Sequence, residues 1–247
     1  MSETRRQPAP GGAPGGAVLR RFSGFGHLSG AEVAFLQQLD SRPCPARADI
    51  LREGETYVRA LILEAGWAFR YKLLCDGRRQ ILNLLIPGDI IGPHSPVADH
   101  SVAALTDAVA GHFSPRTIEE HAGDYPHIAA TLAHAIAREY EMLAGRAVCL
   151  GRRTAYERMA YLMAELLVRL RAVGLSDGHS FDFPVTQEIL ADSLGLSVVH
   201  VNRTLRRLRQ DGLLSFQARR AVIGDPEGLA DAAALDGALS ETMVRGR

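Results

Sequence analysis

The apolar residues of this 247-residue chain change their spacing from segment to segment. Between Ala48 and Phe113 they form short alternating or continuous runs at Tyr57 to Glu64, Trp67 to Leu74, Gln80 to Ile86, Val102 to Leu105 and Ala108 to Phe113. Turn residues separate them at Glu64-Ala65-Gly66, Cys75-Asp76-Gly77 and Pro87-Gly88-Asp89. The Asp-Gly pair is a strong hairpin signal because both residue types tolerate the positive φ of a tight turn. Closely spaced strands with this punctuation predict a small antiparallel β jelly roll or sandwich. A short helix precedes them over Leu28 to Leu39, with Ser29 as its cap and Val33, Leu36 and Leu39 as its apolar residues.

From about Pro126 the period lengthens. Ala129, Leu132, Ile136, Tyr140, Leu143, Ala147 and Leu150 recur every three or four residues, close to a heptad seam. A helix of about 25 residues is roughly 37 Å long at 1.5 Å per residue, more than one face of a small sheet covers. The seam is therefore expected to pair with a second copy of the chain. Packing wholly within its own chain is the alternative, and Glu139 and Arg146 dilute the seam. Gly151 to Thr154 interrupts the helix, and Thr154 with Glu157 forms a capping box opening the next one, so a hinge is expected there. Met159, Leu162, Met163, Leu166 and Leu170 give the helix Ala155 to Val173 its buried side.

Between Pro184 and Arg209 two short helices follow one another. Thr186 caps the first, Glu188 suits the positive end of its dipole, Ile189, Leu190 and Leu194 form its apolar side, and Gly195 ends it. Ser197 caps the second, in which Val201, Leu205 and Leu208 face inward while Val199, Asn202, Arg203 and Arg206 share the opposite side. This is the pattern of a helix-turn-helix with its recognition helix; the bland reading is a helical pair with a solvated basic face. Gly212 to Phe216 and Ala221 to Ile223 flank Gln217 to Arg220 as a two-stranded wing with arginines at its tip. The divisions expected are a disordered tail over 1–21, a β-roll sensor over 22–125, a dimerisation helix over 126–151, a winged helix-turn-helix over 152–225, and a weakly structured tail over 226–247 with room for one helix.

Composition alters this picture in one respect. The 28 basic and 28 acidic residues cancel, but between Val198 and Arg220 six arginines face a single acid, Asp211. Local positive potential, not the sum, governs nucleic-acid affinity. No run approaches the roughly 18 apolar residues of a membrane span, and the first thirty residues lack a signal-peptide core, so a cytoplasmic protein without a membrane partner is expected. Cys44, Cys75 and Cys149 are too few and too scattered for a disulfide framework or a CxxC metal site. No convincing catalytic constellation appears, and enzymatic activity is not expected.

Three segments in shared order carry a resemblance to the CRP/FNR family of bacterial regulators: Asp76-Gly77-Arg78-Arg79-Gln80-Ile81 with Pro87-Gly88-Asp89-Ile90-Ile91-Gly92, the long helix ending near Leu150, and Thr186-Gln187-Glu188 through Leu205 with Gly212-Leu213-Leu214. The resemblance runs from about Phe22 to Gly224. It implies an α+β fold with an N-terminal antiparallel β jelly-roll sensor of cyclic-nucleotide-binding type, a long dimerisation helix and a C-terminal winged helix-turn-helix. It also implies a homodimeric, sequence-specific transcription regulator that places two recognition helices in successive major grooves of near-palindromic double-stranded DNA, with RNA polymerase as a further partner.

Arg203 matches the family's base-reading arginine, and Val199, His200 and Asn202 are the other base-reading candidates. Ser197, Arg206, Arg207, Arg219 and Arg220 are phosphate candidates. Leu132, Ile136, Tyr140, Leu143, Ala147 and Leu150 are the expected dimer contacts. The sequence departs from the family where a glutamate is usual, at Val199, which can touch a thymine methyl but cannot accept from a cytosine amino group.

In cyclic-AMP-binding members a glutamate follows Gly92 and an Arg-Ser pair comes later. Here Pro93 stands first, and Val97-Ala98-Asp99-His100-Ser101 has no arginine, so cyclic-AMP control is not expected. An iron-sulfur cluster would need grouped cysteines near the N-terminus, and none precedes Cys44. Haem could use Cys75, His94, His100 or His112, but such residues in a β domain are more often structural. No cofactor and no metal are expected, and the effector is left open. The alternative function is a ligand or redox sensor that acts through protein partners with a degenerate DNA-binding module.

Overall fold

The computed structural model describes residues 15–92, 96–235 and 242–243. It is an α+β chain of two compact units. The first comprises residues 1–68 and 85–135, and the second residues 69–84 and 136–247.

The first unit opens with α1 (Gly16–Phe22), a short 3-10 turn, and α2 (Gly30–Gln37). Ser29 and Glu32 cap α2 reciprocally. The strands are β1 (Asp40–Cys44), β2 (Asp49–Leu51), β3 (Ala60–Ala65), β4 (Ala68–Leu73), β5 (Arg79–Leu85), β6 (Ile90–Ile91), β7 (Ser101–Ala104) and β8 (Ala108–Phe113). The five predicted runs became β3, β4, β5, β7 and β8. β1 is mostly polar, and β2 and β6 are only three and two residues long, so none of them stands out in the apolar pattern. In the first unit β1, β8, β3 and β6 form an antiparallel sheet in that order, with Leu61 opposite His112 and also opposite Ile91. β2 pairs with β7. After β8 come α3 (Pro115–Glu120) and α4 (Pro126–Arg152).

β3 explains why the unit has two cores. Successive side chains of a strand point to opposite faces. Leu61 and Leu63 pack inside the roll with Leu85, Ile91, Val102 and Ala108. Ala60 and Ile62 face the other way, against Val18, Phe22, Leu36, Phe113, Ile118 and Ile128. The helices α1 to α4 thus cover what would be a bare sheet face.

This corrects the expected tail over 1–21. Residues 1–14 lie outside the described part, but Gly16–Phe22 is helical, and Val18 and Phe22 are fully buried. Arg21 fixes the helix to the Pro87-Gly88-Asp89 turn, pairing with the Asp89 carboxylate at 2.8 Å and donating to the Gly88 carbonyl. Glu32, also buried, accepts from the backbone N–H groups of His127 and Ile128 and sits 3.0 Å from His127 Nδ1. It thereby ties α2 to the first turn of α4.

In the second unit β4 and β5 form a hairpin about the Asp76-Gly77 turn, where Gly77 takes φ +83°. Then come the remainder of α4, α5 (Ala155–Ala172), β9 (Ser176–Asp177), β10 (Ser180–Asp182), α6 (Gln187–Leu194), α7 (Val198–Gln210), β11 (Leu214–Gln217), β12 (Arg220–Ile223) and α8 (Pro226–Ala232). The predicted capping box opens α5: Thr154 Oγ accepts from Glu157 N–H, and the Glu157 carboxylate accepts from Thr154 N–H at 2.6 Å. All five predicted apolar residues of α5 are buried.

A buried ion triad sits beneath this helix. Glu165 lies between Arg169 at 3.0 Å and Arg146 of α4 at 3.4 Å, and Arg169 donates to the Leu84 carbonyl of β5. The wing is larger than predicted, since β10 pairs with β12 and β9 with β10 to give four strands in the order β11-β12-β10-β9. The weakly structured tail expected over 226–247 contains the one helix allowed for there, α8, and that helix is packed down. Asp225 caps α8, and Leu229, Ala230 and Ala233 are buried. No helix among the described residues is long and apolar enough to cross a membrane.

Candidate nucleic-acid interface

The two predicted short helices form as their caps dictate. Thr186 Oγ accepts from Ile189 N–H at 3.3 Å, and Ile189, Leu190 and Leu194 are buried. Gly195 ends α6 in the left-handed region at φ +63°, and its N–H returns to the Ala191 carbonyl. Only three residues, Gly195 to Ser197, separate α6 from Val198. Ser197 Oγ accepts from His200 N–H at 3.2 Å and starts α7.

Burial sorts the faces of α7. Val201 and Leu208 are fully buried, and Thr204 is buried too, whereas Leu205 is only half-buried. Thr204 therefore takes a larger share of the inner face than the apolar pattern implies. Val199 is 78% exposed, and His200, Asn202, Arg203 and Arg206 are also exposed. A single exposed valine is ordinary on a protein surface; what marks this face is that Val199 shares it with four exposed polar and basic side chains. Several of the backbone N–H groups at the helix start lack intrahelical acceptors, which favours an anion near Ser197.

The remaining phosphate candidates differ in how they are held. Arg207 lies 4.9 Å over the Tyr156 ring and 3.9 Å from Asp211. Tyr156 donates to Asp211 at 2.6 Å; partial burial and then that bond and charge raise its hydroxyl pKa to about 12. Arg219 is exposed at the wing tip, next to Ala218, which takes φ +54°. Arg220 lies inside β12, not at the tip, where it donates to Ser180 Oγ at 2.8 Å and pairs with Asp182 at 3.4 Å.

Two contacts of this face lay beyond the reach of spacing arguments. Asn202 Nδ2 donates to Gln187 Oε1 at 2.8 Å and to the Val198 carbonyl at 3.1 Å. Arg79, stacked 5.2 Å over the Phe69 ring, holds the Asp192 carboxylate of α6 at 2.7 Å, while Gln80 Nε2 donates to the Asp192 carbonyl. The polar Arg-Arg-Gln run after Asp76-Gly77 was the available signal.

Along α4 the predicted seam divides. Leu132 packs on the core of the first unit, but Ile136 is 60% exposed and Tyr140 76%, and Leu143, Ala147 and Leu150 are exposed with them. Glu139 and Arg146, the two charges that interrupt the apolar pattern, point elsewhere: Glu139 pairs with buried Arg70 of β4, and Arg146 with Glu165. Cys149 lies on that inner side as well, buried beside the Arg153 guanidinium at 3.1 Å, so it is not presented to a mate across the seam.

In the sensor half, Cys44 is half-buried, Cys75 exposed, and no group of three metal-binding side chains occurs among the described residues. His112 is half-buried, and buried His100 contacts Asp99 at 2.6 Å. Pro93 and His94 lie outside the described residues.

Comparison with known proteins agrees with this architecture. The family model for a cyclic nucleotide-binding domain matches residues 41–123, and that for a Crp-like helix-turn-helix domain matches residues 157–232. The transcriptional activator protein FnrL of Cereibacter sphaeroides is 29% identical over 214 residues, covering 85% of this chain and 86% of that protein. The nitrogen fixation regulation protein FixK of Rhizobium meliloti is 27% identical over 184 residues, covering 73% and 81%. The solved structure of FixK2 from Bradyrhizobium japonicum superposes with a TM-score of 0.70 at 27% identity, over 81% of this chain and 99% of that one. With both domains matched in the same order, by relatives that span them, the chain belongs to the CRP/FNR family and is a DNA-binding transcription regulator, not an enzyme.

Proposed function

We propose that this regulator binds a near-palindromic operator as a homodimer, in the cytoplasm and with RNA polymerase as its further partner, and that cyclic AMP does not control it. The observation that carries the reading is the sorting of α7: Val201 and Leu208 are wholly buried while Val199, His200, Asn202, Arg203 and Arg206 are exposed together. In a major groove Arg203 can donate two hydrogen bonds to guanine O6 and N7, and Val199 can meet a thymine methyl. His200 and Asn202 complete the base-reading set. Ser197, Arg206, Arg207 and Arg219 serve phosphates, and Arg220 contributes from within its Asp182 pair.

The exposed residues from Ile136 to Leu150 support pairing of two α4 helices, which would set the spacing of the two readers. Independence from cyclic AMP rests on the sequence: Pro93 stands where the family's nucleotide-binding members have a glutamate, and Val97 to Ser101, which includes the acid Asp99, has no arginine to compensate a phosphate.

Arg203→Ala should cost about 1–3 kcal/mol and relax preference at one base position. Arg206→Ala should weaken binding to all sequences alike and reduce the slope of affinity against salt by roughly one ion. Titrations of operator and random duplex at several salt concentrations separate these outcomes. Equal affinity of the unaltered protein for every duplex would sink the proposal and leave a sensor acting through protein partners.

A further inference from the structure

We infer that Asn202 reads its base pair through its carbonyl oxygen alone, and that Gln187 is the positioning residue that makes it so. The inference rests on the assignment of α7 as the base-reading helix and deepens it. An asparagine amide has two N–H donors and one acceptor oxygen. Which way such an amide faces is settled by partners of fixed polarity. The Val198 carbonyl is one: it can only accept, so Asn202 must turn its Nδ2 toward it, at 3.1 Å. The second hydrogen on Nδ2 goes to Gln187 Oε1 at 2.8 Å. Both donors are thus spent inside the protein, in a side chain that is exposed on the reading face. What remains for an outside partner is Oδ1.

That constraint changes the chemistry of recognition. A free asparagine pairs with adenine by two bonds, donating to N7 and accepting from N6. With its donors held, Asn202 can only accept, and the major-groove partners that offer a hydrogen are the amino groups of adenine N6 and cytosine N4. Guanine, which presents only acceptors there, and thymine, with its O4 acceptor and methyl group, are refused. The position read by Asn202 is therefore expected to admit adenine or cytosine with similar weight. It also restores an acceptor to a reading face whose Val199 has none.

Selection of bound duplexes from a random pool, using the full-length protein and its variants, tests this. The unaltered protein should show one position per half-site enriched for adenine and cytosine together. Asn202→Ala should lose that enrichment by about threefold to tenfold, the scale of one neutral hydrogen bond, while the guanine read by Arg203 persists. Gln187→Ala frees one donor and should sharpen the same position toward adenine alone, by restoring the two-bond pairing. Gln187→Glu, still an acceptor for Asn202, should keep the mixed preference at lower overall affinity. All three sites are exposed, so matched melting curves should accompany the selections. A strict adenine, guanine or thymine at every position of the unaltered protein would overturn the inference, as would Gln187→Ala leaving the pattern unchanged. A pool with no enrichment at all, unaffected by Arg203→Ala, would instead overturn the base-reading assignment itself.

Discussion

Glu32 is the clearest example of a single residue whose role came from the fold and not from its neighbours in sequence. Its cap partnership with Ser29 was local and legible, but the bonds to His127 and Ile128 join positions 95 and 96 residues apart. Burial pushes its pKa upward, but the hydrogen bonds from Ser29, the His127 ring and backbone, and Ile128 outweigh that and hold it at about 2, against an ordinary 4.5. A folded-state pKa below the unfolded one means that the unfolded chain binds the proton more readily. The carboxylate's contribution is therefore fully present above about 4.5 and is lost as pH falls through about 2. By the shift it is on the order of 3 kcal/mol. Glu32→Gln puts an amide N–H among donors and should lower stability at pH 7 by roughly 2–4 kcal/mol, and should flatten the stability slope below pH 4.5. Urea unfolding of both proteins at pH 3 and pH 7 measures both effects.

At the scale of elements, Gly195 has little room for substitution. Its φ of +63° is a region that residues with a Cβ enter at a cost of about 1–2 kcal/mol, and a Cβ there would stand 3.3 Å from Leu150 Cδ2. Gly195→Ala should lower the melting temperature and weaken DNA binding together, because the same turn sets the angle between α6 and α7; calorimetry and a gel shift report the two. Such local signals were what the sequence made plain. The caps at Ser29, Thr154, Thr186 and Ser197, the Asp76-Gly77 turn and the inner face of α5 all follow from residues within a turn or two of one another. The elements that were missed lack such signals. α1 hides in a Gly- and Ala-rich stretch and is held by Arg21 reaching to Asp89. β9 and β10 are only two and three residues long and exist because β12 offers them an edge. Arg70 paired with Glu139, and Arg146 with Glu165, reversed the meaning of two charges that had counted against the seam.

For the molecule as a whole, the exposed seam makes a claim about assembly. Tyr140, 76% exposed amid Ile136 and Leu143, touches little in its own chain. Tyr140→Glu should leave the fold intact, with a surface-scale change in stability of about 0.5 kcal/mol. In a dimer it would set two like charges in an apolar seam. Sedimentation should then show monomers, and affinity for a two-half-site operator should fall by far more than affinity for a single half-site. The residues 69–84 carry a different consequence, for anyone who cuts the chain. Leu84 supplies the acceptor for Arg169, Arg70 answers Glu139, and Arg79 and Gln80 grip Asp192, all within the unit that holds the recognition helix. A fragment beginning at Ile136 would keep every helix of the reader and lose these three anchorages, stranding charge that the intact chain compensates. The smallest piece that behaves like the reader is thus discontinuous in sequence, and expressing residues 69–84 in trans should raise the fragment's melting temperature.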